Sequence, residues 1–235
     1  MKKNIVVMTG AGISAESGIK TFRDADGLWE GHDVMEVASP EGWRKNQELV
    51  LDFYNQRRRQ LKEVQPNAAH QSLVDLEEKF NVHIVTQNVD NLHEKAGSRQ
   101  VVHLHGELTK VRSTLDERLV YDWPDDLHQG DTCEKGAQLR PHIVWFGEQV
   151  PMLERAATLT HDAEIILIIG TSMQVYPAAG LVGYALPGAT IYYIDPKPAI
   201  NYELSLRPNL KVVAEKATVG VPKVVAEILE GVEQR

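Results

Sequence analysis

The chain has 235 residues, 43% hydrophobic and 25% charged, proportions of an ordinary folded protein that exclude a disordered one. Its formal net charge of -8 removes the sequence-independent attraction to phosphate on which nucleic-acid binding rests. One cysteine, Cys133, excludes an intramolecular disulfide and a cysteine-rich zinc site, and no apolar run reaches the length of a membrane span.

The run after Met1-Lys2-Lys3 is too short for a signal peptide's apolar core, so a cytoplasmic, reduced protein is expected, with no nucleic-acid or membrane partner. Short β-branched runs read as buried parallel strands at residues 4–9, 82–86, 101–105, 164–170, 190–194 and 210–213. Helical patterns at 67–79, 152–160 and 222–231 separate most of them. Strands alternating with helices predict a Rossmann-like, doubly wound α/β sheet.

Two stretches break that rhythm. Residues 22–64 are far longer than a normal crossover and end in a helix. Residues 106–147 contain Pro124, Gly130, Gly136 and Pro141 and show little periodicity. They predict a small, helical and irregular module made of two insertions, 22–64 and 106–147. The large part then comprises 1–21, 65–105 and 148–235, with a ligand cleft between the two.

Gly10-Ala11-Gly12-Ile13-Ser14-Ala15 follows the first strand directly. Such a turn lets backbone N–H groups approach a pyrophosphate. A dehydrogenase would continue into a second strand ending in an acidic residue about 20 residues on. Phe22-Arg23-Asp24-Ala25-Asp26-Gly27-Leu28-Trp29 stands there instead, a polar loop with aromatics. A dinucleotide is therefore admitted, but hydride transfer is not supported.

Polar residues cluster at the ends of the other strands, where α/β ligand sites lie. Gln87, Asn88 and Asp90 end one, and the two amides suit ribose hydroxyls and a bound water because they donate and accept. His105 ends another, and an imidazole, with an unperturbed pKa of roughly 6.5, is the natural general base near neutrality. His103, two residues earlier, lies on the same face. Gly170, Thr171 and Ser172 end the next strand and Asp195 the one after.

The helix around residues 48–64 has an apolar stripe at Val50, Tyr54, Arg57, Leu61 and Val64. Arg57 therefore falls where a core residue is expected, whereas Arg58 and Arg59 fall off the stripe and read as solvated. A buried arginine needs a partner. Either an internal acid or a bound carboxylate would serve.

Taken in order, GAGISAESGI at residues 10–19, Phe22-Arg23, Thr86-Gln87-Asn88-Val89-Asp90-Asn91-Leu92-His93, His103-Leu104-His105-Gly106, Trp145-Phe146-Gly147-Glu148 and Gly170-Thr171-Ser172 resemble the sirtuin family across almost the whole chain. The resemblance implies an enzyme that consumes NAD to remove acyl groups from lysine side chains. In that family the acyl-lysine amide oxygen attacks C1′ of the nicotinamide ribose, nicotinamide leaves, and a histidine activates a ribose hydroxyl. The products are free lysine, nicotinamide and an O-acyl-ADP-ribose. By the same resemblance His105, followed by Gly106, is the catalytic base. NAD is contacted by Gly10, Ala11, Gly12, Ile13, Ala15, Phe22, Arg23, Trp29, Gln87, Asn88, Asp90, Gly170, Thr171, Ser172, Asp195 and, through the backbone, Ala217. Asp195 departs from the asparagine common in the family. His70 and His93 match family positions and are expected to pack or hydrogen-bond locally.

The partners implied are acylated lysine peptides, held by Val144, Phe146, Gly147 and Glu148 on a strand that pairs with the peptide backbone. Tyr54-x-x-Arg57 resembles the pair that binds the carboxylate of succinyl- or malonyl-lysine in the desuccinylase branch, so acetyl, succinyl and malonyl groups are all expected substrates. Many sirtuins hold a structural zinc on four cysteines. Here Ser113 stands where a first ligand would be, Cys133 is alone, and the spacing of His128, Asp131 and Cys133 fits no common site, so no zinc is expected. A mono-ADP-ribosyltransferase and a non-catalytic NAD or ADP-ribose sensor are the alternatives. Tyr54 and Arg57 argue against the first, and His105, Asn88 and Asp90 against the second.

Overall fold

The structure, a computed structural model, describes residues 2–20 and 28–233. Two of the candidates, Phe22 and Arg23, lie outside the described residues. The first half runs β1 (Asn4–Thr9), α1 (Gly12–Ala15), β2 (Leu28–Trp29), β3 (His32–Asp33), α2 (Val34–Val37), α3 (Pro40–Lys45), α4 (Gln47–Glu63), α5 (Ala68–Leu76), β4 (Asn81–Thr86), α6 (Leu92–Ala96) and β5 (Val101–His103). The second half runs β6 (Gly106–Ser113), β7 (Val120–Asp122), β8 (Leu139–Ile143), α7 (Leu153–His161), β9 (Ile165–Ile169), β10 (Thr190–Ile194), α8 (Tyr202–Ser205), β11 (Leu210–Val213) and α9 (Ala217–Glu233), with a 3-10 helix at Ala178–Tyr184.

The large sheet is Rossmann-like, six parallel strands in the order β11-β10-β9-β1-β4-β5. Alternation along β1 serves both faces: Ile5 and Val7 pack under α5 and α9, while Val6 and Met8 pack on the side of α7. Strand order reverses at β1, the switch point where such sheets bind ligands. The pairs Thr9–Thr86, Thr9–Ile169, Ile194–Ile169 and Thr86–His103 bring the carboxyl ends of five strands level.

The second module differs from its sequence reading. Its apolar core joins residues 37–61 to residues 108–145. The second insertion is not irregular: β6, β7 and β8 form a three-stranded antiparallel sheet. The strand expected at residues 144–148 is absent; those residues turn away after β8. The last helix begins at Ala217, before the expected start at residue 222, and carries Pro222 inside it. Having no N–H, Pro222 leaves the bond to the Thr218 carbonyl unmade, one turn into the helix.

Arg58 is the clearest correction. It is 2% exposed, not solvated. The helix α4 buries Leu51, Asn55 and Arg58 as well as Val50, Tyr54 and Leu61, a wider face than one stripe, because it packs against α2, α3, β6 and β8. The Arg58 Nε donates to the Leu108 carbonyl at 2.7 Å and its Nη1 to Asn55 Oδ1 at 2.7 Å. The Asn55 amide in turn donates to the Leu127 carbonyl at 2.9 Å, and Leu127 N–H returns a bond to Asn55 Oδ1. Burial lowers the guanidinium to about 10, still charged at neutral pH. Hydrogen bonds to charged groups contribute about 1.5–3 kcal/mol each. Arg58→Ala is therefore expected to lower the free energy of unfolding by about 2–4 kcal/mol, read by urea denaturation, whereas Arg59→Ala, at an exposed ion pair with Asp126, should change it by less than about 1 kcal/mol.

Candidate active site

The loops leaving the level strand ends enclose a cleft of about 960 Å³, within the usual range for ligand sites. The β1 loop contributes Gly10, Ala11, Gly12, Ser14 and Ala15; the β4 loop contributes Gln87, Asn88 and Asp90. His105 comes from beyond β5, Gly170, Thr171 and Ser172 from beyond β9, Asp195 from beyond β10, and Lys216 and Ala217 from beyond β11. On the module side stand Trp29, Glu30, Arg57 and the 144–148 turn with Val144, Phe146, Gly147 and Glu148. Two candidates are not on the wall. Ile13 is fully buried in the core under the sheet, and Tyr54 is fully buried behind the wall.

The glycines of the first loop have a nearer duty than a ligand. Gly10 N–H donates to the Ile169 carbonyl at 3.0 Å and Gly12 N–H to the Gly170 carbonyl at 2.8 Å. A Cβ on Gly12 would lie 2.6 Å from Gly170 Cα. These two N–H groups are spent on β9, not held out to a phosphate.

The polar end of the cleft is prearranged. Asn88 Nδ2 donates to the Gly10 carbonyl at 3.1 Å and to Ser14 Oγ at 3.2 Å. Ser14 Oγ donates to Asp90 Oδ2 at 3.0 Å, and Leu92 N–H donates to Asp90 Oδ1 at 3.0 Å. Burial raises Asp90, and these two bonds oppose that rise. Each carboxylate oxygen keeps a lone pair for a further donor. Ser14 was not singled out from sequence, although a hydroxyl in the turn of a Gly-x-Gly loop is a signal for such a contact.

His105 Nδ1 lies 3.0 Å from the Gln87 carbonyl. A carbonyl only accepts, so Nδ1 carries the proton and Nε2 is left with its lone pair. Burial lowers the ring's pKa, only partly offset by the Gln87 bond, so it is neutral and able to take a proton at pH 7. His70 and His93 lie behind, both buried. His70 Nδ1 accepts Asn67 N–H at 3.3 Å in the capping box of α5, and His93 Nε2 meets Thr9 Oγ1 at 3.0 Å.

The module wall is built on charge. Glu148 takes Arg140 Nη1 at 2.6 Å, Arg112 Nη2 at 3.1 Å and Trp145 N–H at 2.8 Å. Its carboxylate thus fixes the turn, and burial's upward push on it is outweighed by Arg140, the Trp145 amide and Arg112. Phe146, 46% exposed, anchors its backbone on the Ala38 carbonyl. Trp145 Nε1 donates to Tyr54 Oη at 3.0 Å, and Trp29 stacks edge-on against Phe53 and Tyr54. Arg57 lies 3.8 Å over the Phe53 ring and donates to the Phe53 carbonyl at 2.7 Å. Its Nη2 is 3.8 Å from Glu30, and its buried Nε has no partner among the described residues.

A parallel sheet with a polar cleft at its switch point and a neutral imidazole beside paired amides and a carboxylate defines a dinucleotide-binding α/β protein equipped for proton transfer. The Sir2 family profile matches residues 10–177. The chain belongs to the Sir2 family. A Helicobacter pylori protein described as an NAD-dependent protein deacylase is 58% identical over 228 residues, covering 97% of this chain and 98% of that one. A crystal structure of a Sir2 homolog–NAD complex superposes with a TM-score of 0.86 at 37% identity, covering 98% of this chain and 91% of the other. A structure of Sir2 bound to acetylated peptide superposes with a TM-score of 0.77 at 26% identity, covering 96% and 93%.

The place expected for zinc ligands is closed by hydrogen bonds. Cys133 Sγ donates to Ser113 Oγ at 3.2 Å, and Ser113 Oγ accepts the N–H groups of Leu115 and Asp116 at 3.1 and 3.3 Å. Asp116 pairs with Arg118 and Lys135. No group of three His, Cys, Asp or Glu residues able to hold a metal occurs among the described residues. The purified protein is expected to contain less than about 0.1 zinc per chain and to keep its Tm in EDTA, checked by elemental analysis and a thermal melt. One tightly bound zinc, with unfolding on chelation, would contradict this account of the module.

Proposed function

We propose that this chain is an NAD-dependent protein-lysine deacylase that removes acetyl, succinyl and malonyl groups, acting in the cytoplasm. The observation that carries the reading is His105 on the cleft wall beside Gln87, Asn88 and Asp90, its Nδ1 3.0 Å from the Gln87 carbonyl, which leaves Nε2 as the basic nitrogen. The description of the Helicobacter pylori relative and the acetylated-peptide complex of a structural neighbour support it. The single, buried, free cysteine supports the reducing compartment.

The cleft suits NAD. Its wall carries donors and acceptors from Gln87, Asn88 and Asp90 and from Gly170, Thr171, Ser172, Asp195 and the Lys216-Ala217 segment, with Gln87 Nε2 donating to Thr171 Oγ1 at 3.2 Å where the two sets meet, a polar lining suited to riboses and a base. NAD supplies a ribose carbon made electrophilic by its bond to nicotinamide. Asp90 is the acceptor placed for the carboxamide, and Asn88 and Gln87 orient ribose hydroxyls and water. His105 Nε2 takes the proton from a ribose hydroxyl. Buried surroundings keep that base unprotonated to lower pH than an exposed imidazole. The 144–148 turn, with Phe146 exposed on the cleft wall, offers the peptide an apolar contact.

Acyl choice rests on Arg57. A succinyl or malonyl carboxylate loses hydration in the cleft and needs a charged partner. Among the described residues Arg57 Nε has no partner and the one carboxylate near its fork is Glu30 at 3.8 Å, while Nη1 donates to the Phe53 carbonyl at 2.7 Å, so the fork keeps donors for a bound carboxylate. Tyr54 Oη accepts from Trp145 and retains its own proton to donate. Its burial means that it acts only if the wall shifts on binding.

His105→Ala is expected to abolish deacylation of an acetyl-lysine peptide while NAD binding, read by calorimetry, changes by less than about threefold, roughly 0.7 kcal/mol. Turnover at the parent rate would show that the base lies elsewhere. Arg57→Met should cut kcat/KM for a succinyl-lysine peptide about ten- to a hundredfold, the equivalent of one or two charged hydrogen bonds. The same peptide carrying acetyl should be processed at close to the parent rate. Equal losses for both would make Arg57 a support of the fold.

A further inference from the structure

The last residue of β5, His103, sits two residues before the base and on the same side of the chain. Both rings reach back to the loop after β4. His105 Nδ1 meets the Gln87 carbonyl at 3.0 Å, and His103 Nδ1 meets the next carbonyl, that of Asn88, at 3.1 Å. Their far nitrogens differ. That of His105 is left for the cleft, while His103 Nε2 meets Glu94 Oε1 on α6 at 2.8 Å. A carbonyl and a carboxylate are both acceptors, so His103 satisfies both only with a proton on each nitrogen. Either neutral tautomer would set a lone pair against an oxygen. The side chain of His103 is 8% exposed, so water does not relieve that conflict.

We propose that His103 and Glu94 form a positioning pair, in which a buried imidazolium holds the Asn88 carbonyl and so sets the loop of Gln87, Asn88 and Asp90 for NAD. This rests on the NAD-dependent reading above. His103 does not line the cleft and touches no substrate. The rest of the Asn88 residue is already fixed: Thr86 Oγ1 accepts its N–H at 3.0 Å, and its amide holds the Gly10 carbonyl and Ser14. The charged bond from His103 closes the last free direction. Bonds to charged groups are about twice as strong as neutral ones, so losing the proton weakens the hold more than a neutral substitution elsewhere in the loop would.

The charged groups around the ring act in the same sense. Burial pushes His103 down, but Glu94, then Glu107 from β6 and the Asn88 carbonyl, together hold it above the ordinary imidazole value. Burial likewise pushes Glu94 up, and His103, with Lys110, brings it below the ordinary carboxylate value. Asp90, on the loop itself, is favoured in its charged form by the imidazolium, and His93 on α6 is disfavoured from charging. The sign follows: the hold is complete below the raised pKa of His103 and is lost as pH rises through it. The titration of His105, lowered by burial, acts on the acid side and leaves this alkaline limb separate.

The test is the pH dependence of KM for NAD between pH 6 and 9.5 with an acetyl-lysine peptide, together with imidazole NMR of His103. In the parent, KM should rise about tenfold across the titration of His103 while kcat changes by less than about threefold, since roughly one charged hydrogen bond is lost from the binding loop. Glu94→Gln keeps the shape but removes the charge, and should move both the NMR titration and the KM limb down by about one pH unit or more. His103→Asn keeps a donor at the position of Nδ1 and cannot titrate, so its KM should be raised and flat with pH. A limb that stays in place in Glu94→Gln, one that persists in His103→Asn, or a His103 that titrates below pH 6.5 would each overturn the pairing. If the parent itself failed to bind NAD by calorimetry at pH 6.5, the NAD-dependent reading would fall, and this proposal with it, whatever the NMR titration showed.

Discussion

The crevice depends on a contact between two backbones. The loop after β1 presses on the end of β9 so closely that side chains are excluded from both. A Cβ on Gly10 would lie 2.8 Å from the Gly170 carbonyl oxygen, and one on Gly170 would lie 2.4 Å from Ile13 N. Gly170 also has φ of +60°, a conformation costly for L side chains. Because the two loops are joined by the Gly10 and Gly12 hydrogen bonds, the polar segments on either side face each other across a fixed gap. Asn88 fixes the β4 loop to the Gly10 carbonyl, and Gln87 Nε2 reaches Thr171 Oγ1 on the β9 side at 3.2 Å. The site is prearranged because its floor is backbone, which has few ways to relax.

The second module meets a different constraint. Among its described residues three arginines are buried, Arg58, Arg112 and Arg140, and each must be paired or bonded to be tolerated there. Arg58 spends Nε on the Leu108 carbonyl and Nη1 on the Asn55 amide oxygen, and through Asn55 and Leu127 this ties α4 to the start and the middle of the second insertion. Arg112 and Arg140 converge on Glu148, and Arg140 also stacks 3.3 Å over the Trp145 ring. The result fixes the turn that closes the substrate side of the cleft. With Ser113 and Cys133 bonded to each other, polar side chains take the role of a crosslink. The same electrostatics that hold the module together also shape its wall of the cleft.

Much of this was legible in the sequence. The β-branched runs located all six strands of the large sheet because a strand buried on both faces shows as an unbroken apolar run. The positions of Gln87, Asn88, Asp90 and His105 followed from those strand ends. What escaped was set by tertiary packing. Arg58 was misplaced because a single helical stripe assumes one buried face, and α4 is enclosed on more than one. The antiparallel sheet of the second insertion was hidden by Pro141 within β8 and by the shortness of β7. The family resemblance implies a strand at 144–148, but the Glu148 carboxylate bonds back to Trp145 N–H where the chain turns. Tyr54 was correctly seen to share a face with Arg57, yet periodicity cannot tell a residue at a cleft wall from one just behind it.

The two histidines of β5 and its extension show how finely such distinctions are drawn. They are two residues apart, bond consecutive carbonyls of one loop through the same ring nitrogen, and are both largely buried. Burial alone would lower both. One does fall below the ordinary value, and the other rises above it, because the far nitrogen of His105 meets no carboxylate while that of His103 meets Glu94. One ring is thereby kept with a lone pair able to accept a proton, and its neighbour holds its proton to higher pH. Residue type and spacing are the same for both. The difference in chemistry comes from α6, which brings Glu94 to 2.8 Å. Glu94, nine residues before His103 on a short helix, thus sets the two imidazoles apart, leaving the far nitrogen of His105 open to the cleft.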